Sequence, residues 1–139
     1  MNRMLKIENF GKNVLVVNGT SGAGKNAYMY GMAAHYGLHA SGIICTETNP
    51  AMAALKLPTT TCTQADFSIE SIIRKLTEMA QLPNIKFVMI EHLCLFGDHT
   101  RPAHKEMTHY LRVIDAVARA YDVNVAVGVP LKRDGSSIL

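Results

Sequence analysis

The stretch VLVVNGTSGAGKNAYMYG, residues 14–31, carries the reading of the fold. Val14, Leu15, Val16 and Val17 form an unbroken apolar run, which suits a buried strand of a parallel sheet rather than one alternating between core and solvent. The run ends at a glycine-rich turn in which Gly19, four residues, Gly24 and Lys25 match G-x-x-x-x-G-K. Beyond it Tyr28, Met29, Met32 and Ala33 recur at helical spacing, with Gly37 as the expected C-terminal cap. Strand, loop and helix in this order are what a phosphate cradle requires. Its glycines reach backbone conformations closed to other residues, so successive N–H groups can turn inward, and the helix N-terminus adds its positive end. Gly19, Thr20, Ser21, Gly22, Ala23, Gly24, Lys25, Asn26 and Ala27 are therefore the expected nucleotide-binding segment, with Lys25 reaching the β and γ phosphates.

Asn26 departs from the pattern. A Ser or Thr hydroxyl normally follows the lysine and binds the Mg²⁺ that bridges the β and γ phosphates. An amide oxygen is bulkier and one atom further from the backbone, and Mg²⁺ tolerates little deviation from octahedral geometry at about 2.1 Å. Either Asn26 coordinates the metal in a modified way, or the metal is held mainly by water and other groups, or binding is kept while catalysis is lost.

Outward from this stretch, apolar runs alternate with helical periodicity, the pattern of an α/β domain with a mainly parallel sheet. Residues 41–47 (SGIICTE) and 85–91 (IKFVMIE) read as strands, and 123–129 (VNVAVGV) as a fourth, stopped by Pro130. Between residues 48 and 66 periodicity is weak, which predicts an irregular connection with one helical turn and a short β segment. Asp66 or Ser68 can cap a helix whose apolar face is Ile69, Ile72, Ile73, Leu76, Met79 and Ala80. Residues 103–121 make the strongest helix, with Met107, Tyr110, Leu111, Ile114, Val117, Ala118 and Tyr121 on one face.

At 139 residues and 48% hydrophobic content, the chain suits one domain with a real core. A net charge of +3 permits a polyanionic partner without demanding one. Cys45, Cys62 and Cys94 are an odd number at wide spacing, which suggests neither a disulfide framework nor a zinc ribbon. No signal-peptide pattern and no run of about 18 apolar residues is present, so the expected setting is the cytoplasm, or a host cell's cytoplasm.

Glu91 ends an apolar strand where a P-loop enzyme places its second acidic residue, and is the expected Mg²⁺ holder, partly through water. Glu47 closes the second strand in the same way and is placed to orient or deprotonate an attacking water. His99, Arg101, His104 and Lys105 form a basic segment suited to nucleic-acid phosphates, with His99, Arg101 and Lys105 the expected contacts. Lys132 and Arg133 are candidate γ-phosphate sensors. For each of these the bland alternative is a solvated surface group.

Taken in order, VLVVNGTSGAGKN, GIICTETNP, FVMIEHLCLF and THYLRVIDAVARAYDVNVAVGVPLKR resemble the RecA-type ATPase core, in particular replicative hexameric helicases and the packaging motors of double-stranded RNA phages. The resemblance implies a three-layer RecA-like P-loop fold shortened at the C-terminus, spanning residues 1–139, in which Glu47 is the catalytic glutamate and Glu91 the metal-binding acid. It implies ATP and Mg²⁺ as ligands, single-stranded nucleic acid as partner, and a ring or larger assembly. By its strand order, the missing fifth strand leaves the phosphate-loop strand on an open edge, which MLKIENF (4–10) alternates well enough to cover, unless a neighbouring subunit does so. The competing expectations are a non-hydrolysing nucleotide-binding module and a small-molecule or nucleotide kinase.

Overall fold

The computed structural model describes residues 5–19, 24–66, 68–93 and 103–130. Its strands are β1 (Leu5–Phe10), β2 (Val14–Gly19), β3 (Ser41–Cys45), β4 (Thr61–Gln64), β5 (Phe87–Ile90) and β6 (Asn124–Pro130), and they form one sheet in the order β1-β2-β6-β5-β3-β4. All neighbours run parallel except β1, which pairs antiparallel with β2. Strand β2, which leads into the glycine-rich segment, thus has β6 on one side, and its other side is taken by the N-terminal strand.

Helices α1 (Lys25–Tyr36) and α2 (Pro50–Lys56) pack on one face, α3 (Ile69–Ala80) and α4 (Ala103–Tyr121) on the other. The result is an α/β fold compatible with three layers. On the first face Met29, Ala33 and Ala53 meet Val17, Ile43, Cys45, Phe87, Met89 and Ala126. On the second, Ile72, Leu76, Met79, Met107, Leu111, Ile114 and Ala118 close over Val16, Ile44, Val88, Ile90 and Val127. Alternate residues of each strand feed the two layers, which is why these strands are apolar throughout. Each such Leu, Ile or Met side chain contributes about 1.5–3 kcal/mol on burial.

The local signals are met with some corrections. Ser68, not Asp66, caps α3: its Oγ accepts from Ser71 N at 3.2 Å. The connection expected to be irregular holds the two-turn helix α2, capped by Asn49, whose Oδ1 accepts from Ala51 N at 2.8 Å, and then β4, a full member of the sheet. Tyr28 and Tyr121, expected on apolar faces, are 39% and 41% exposed. Tyr28 follows the first turn on the outer side of α1, and Tyr121 is the last residue of α4. No helix among the described residues is long and apolar enough to cross a membrane.

Candidate functional site

The two ends of the glycine-rich loop are in view, and both need glycine. Gly24 has φ +88°, a left-handed conformation that a side chain would disfavour, and its carbonyl accepts the first helical bond, from Tyr28 N at 2.9 Å. At Gly19 a Cβ would lie 2.6 Å from Lys25 Cγ, so the lysine stem passes directly over this strand end. Lys25 and Asn26 are the first residues of α1, and Ala27 is exposed beside them. Thr20, Ser21, Gly22 and Ala23 lie outside the described residues.

The loop's helix and two strand ends converge on Glu91, which follows β5 and is 2% exposed. Its Oε1 accepts three successive backbone N–H groups from the turn after β3: Thr46 at 3.1 Å, Glu47 at 2.7 Å and Thr48 at 2.7 Å. Its Oε2 accepts from the Thr48 hydroxyl and from Asn26 Nδ2, the latter at 3.1 Å. Three successive N–H groups around one oxygen make an anion-binding concavity, here filled by the chain's own carboxylate. Burial pushes the Glu91 pKa up, but the hydrogen bonds from the Thr48 hydroxyl and from the N–H groups of Thr48, Glu47 and Thr46 prevail and hold it below the usual value. Glu91 is an ionised carboxylate at neutral pH.

Next to it, His92 Nδ1 lies 3.0 Å from Lys25 Nζ and 3.6 Å from Glu47 Oε1. Burial lowers the His92 pKa, and the positive charge of Lys25 lowers it further against the opposing pull of Glu47 and Glu91. The imidazole is therefore neutral at pH 7, with Nδ1 able to accept from the lysine. The His92 carbonyl accepts from Thr46 Oγ1 at 2.9 Å, a second tie between the exits of β5 and β3. Glu47 itself is half exposed, its side chain at 56%. Cys45, just before this turn, is a free thiol whose pKa is pushed up to about 12, first by burial and then by Glu91 and Cys62. It is no nucleophile at physiological pH.

The residues expected from sequence are thus only partly brought together. Lys25, Asn26, Glu47 and Glu91 form one cluster at the C-terminal ends of the parallel strands, the end where ligands of such sheets bind. Lys105 is exposed in the first turn of α4, the helix that follows β5 in the chain. His99, Arg101, Lys132 and Arg133 lie outside the described residues. Sequence reasoning missed Thr46, Thr48 and His92. Their only signal was position, hydroxyls flanking Glu47 and a histidine following Glu91, because Thr48 and Glu91 stand 43 residues apart.

The donor set limits how a cation could be held. A carboxylate offers about four lone-pair sites, and Glu91 already serves five donors, so it has no oxygen to spare for direct ligation. The Asn26 bond is made by Nδ2, which leaves Oδ1 as the oxygen not used on Glu91. Among the described residues no group of three or more His, Cys, Asp or Glu side chains is placed to hold a metal. What fits is a hard cation held by hydroxyl and amide oxygens, water and a ligand's phosphates, with Glu91 orienting those ligands from behind.

Comparison of the chain with protein-family models finds no match, and comparison with curated proteins finds none either.

Proposed function

We propose that the chain is a RecA-like module that binds ATP and hydrolyses it while acting on nucleic acid, as a helicase or packaging motor does. The observation that carries this reading is the meeting of Lys25 and Asn26, from the G-x-x-x-x-G-K helix, with Glu91 and His92 at the end of a buried parallel strand. The antiparallel cover that β1 lays on the edge of β2 supports it too, since in the RecA-like strand order that edge is open when the fifth strand is missing.

In this reading residues 19–27 cradle the triphosphate, and Lys25 exchanges its contact with His92 for the β and γ phosphates. Asn26 and Glu91 would help to hold Mg²⁺, partly through water, with Glu91 orienting the ligands from behind. The metal, when bound, neutralises charge on the phosphate oxygens. Glu47, exposed at the rim and fixed through its backbone N–H to Glu91, accepts a proton from the attacking water. His99, Arg101 and Lys105 contact nucleic-acid phosphates, and Lys132 and Arg133 sense the γ phosphate in their own subunit or a neighbour's within a ring.

One observation favours a second reading, a nucleotide-binding module without turnover. Asn26 spends its N–H on Glu91 and brings no hydroxyl to the place where one normally ligates the metal. Nucleotide affinity and phosphate release, each measured with and without Mg²⁺ and with single-stranded RNA or DNA, separate the two. Hydrolysis stimulated by nucleic acid and lost in Glu47→Gln is the expected result. Tight binding without turnover would select the second reading, and no binding in the wild type would sink both.

A further inference from the structure

The hydroxyl missing from position 26 has a counterpart in space. Thr48 lies on a different loop, after β3, yet its Oγ1 donates to Glu91 Oε2, the same oxygen that takes the Asn26 amide. Two side chains that share one acceptor oxygen stand as close neighbours. In a P-loop protein a hydroxyl binds the metal directly and a carboxylate on the acidic strand completes the site. Here the carboxylate is Glu91, its hydroxyl partner is Thr48, and the asparagine supplies a second donor.

The chemistry of that arrangement points outward. A hydroxyl that gives its proton to a carboxylate turns its lone pairs away from it and gains basicity, which is how an outer partner tunes a metal ligand. Thr48 is held in place at two points, its backbone N–H on Glu91 Oε1 at 2.7 Å and its hydroxyl on Oε2. Glu91, with five donors, is not free to ligate directly, so beside water and phosphate the side-chain oxygens next to it that can face a cation are those of its two side-chain partners. Of the two, the threonine hydroxyl is the compact oxygen that octahedral Mg²⁺ favours over a longer amide.

We infer that Thr48 is the inner ligand of the nucleotide-bound Mg²⁺, replacing the hydroxyl that the phosphate loop lacks at Asn26. The inference rests on the nucleotide-binding reading above and names a ligand that the loop pattern does not contain. It changes which residue sets metal affinity: the turn after β3 rather than the first turn of α1.

The test compares binding of a fluorescent ATP analogue in EDTA with binding across a Mg²⁺ titration, using wild type, Thr48→Val, Thr48→Ser and the double variant Asn26→Thr/Thr48→Val. Thr48→Val should keep the affinity seen in EDTA and lose about tenfold or more of the enhancement by Mg²⁺. Thr48→Ser should retain the enhancement, and restoring a hydroxyl at position 26 in the double variant should recover it. Mn²⁺ bound with the nucleotide, followed by electron paramagnetic resonance, should weaken in parallel. An unchanged Mg²⁺ enhancement in Thr48→Val would overturn the inference while leaving nucleotide binding standing. So would an equal loss with and without Mg²⁺, because Thr48 would then only pin the turn. Absence of nucleotide binding by the wild type would instead remove the reading on which the inference depends.

Discussion

Asn26 is the residue at which the loop pattern breaks, and its surroundings give the break a physical meaning. In place of a hydroxyl it offers an amide N–H to Glu91, a charge-assisted bond that ties the first turn of α1 to the end of β5. Glu91 gathers its donors from two segments, the first turn of α1 and the turn after β3, so its ionised form stabilises the fold as well as the site. Its folded pKa lies below the ordinary value of 4.5, so this stabilisation is present above that value and is lost as pH falls through the lowered one. Glu91→Gln should therefore cost about 2–4 kcal/mol at pH 7 in urea unfolding, since one buried charge and its bonds are lost. The gap to wild type should persist at pH 4.5 and narrow only below it, and a gap already closing above pH 4.5 would show that the carboxylate is not held ionised. Glu91 was legible in the sequence as an acid ending a strand. Its five donors were not, because four of them come from the turn at residues 46–48, which only the pairing of β3 with β5 brings alongside.

Among the elements, β6 lies between β2, which precedes the glycine-rich segment, and β5, which precedes Glu91, and so sets their separation. Its Gly128 is where the chain leaving β5 crosses close: Leu93 N donates to Gly128 O at 2.7 Å, and a Cβ on Gly128 would sit 2.3 Å from the Glu91 carbonyl oxygen. Backbone cannot step aside as a flexible side chain can. Gly128→Ala should cost about 1–3 kcal/mol, read as a lower urea midpoint at unchanged slope, and, under the proposed function, should weaken nucleotide binding by displacing Glu91. Wild-type stability in this variant would show that the crossing has slack. Helices α3 and α4 were legible because their apolar residues repeat at 3.6-residue spacing on one face each. A short β segment is expected between residues 48 and 66, but its place at TCTQ and its partner were not legible, since four residues of mixed polarity become a strand only by pairing with β3.

At the scale of the whole molecule, the sheet ends on β1, and α4 holds that end in place. Asp115, 5% exposed, accepts from Asn13 N at 3.1 Å and pairs with Arg119 Nε at 3.1 Å, so it grips the turn between β1 and β2 from the helix layer. The same carboxylate lies against Gly11, at φ +63°, where a Cβ would meet it at 2.2 Å. Asp115→Ala should loosen the hairpin, costing about 1–3 kcal/mol, and speed hydrogen exchange in β1 well beyond that in β5 and β6. Uniform acceleration throughout the sheet would mean that the hairpin is not a separate unit. A hairpin that opens also bares the edge of β2, so concentration-dependent association should accompany the faster exchange.

By itself the sequence determined the local chemistry: an apolar strand, a glycine-rich turn, a lysine at the head of a helix, and acids at the ends of two further strands. These follow from short-range rules, since φ/ψ freedom, helical period and strand burial are decided by residues a few positions apart. It also marked residues 4–10 as able to cover an exposed edge. Only the tertiary structure decided that Asn26, Thr48 and Glu91 share one carboxylate, that His92 meets Lys25, and that Glu47 reaches this cluster from the far side of β5. Those contacts join residues 43 to 67 positions apart, and strand order, which no local pattern encodes, determines whether such residues meet.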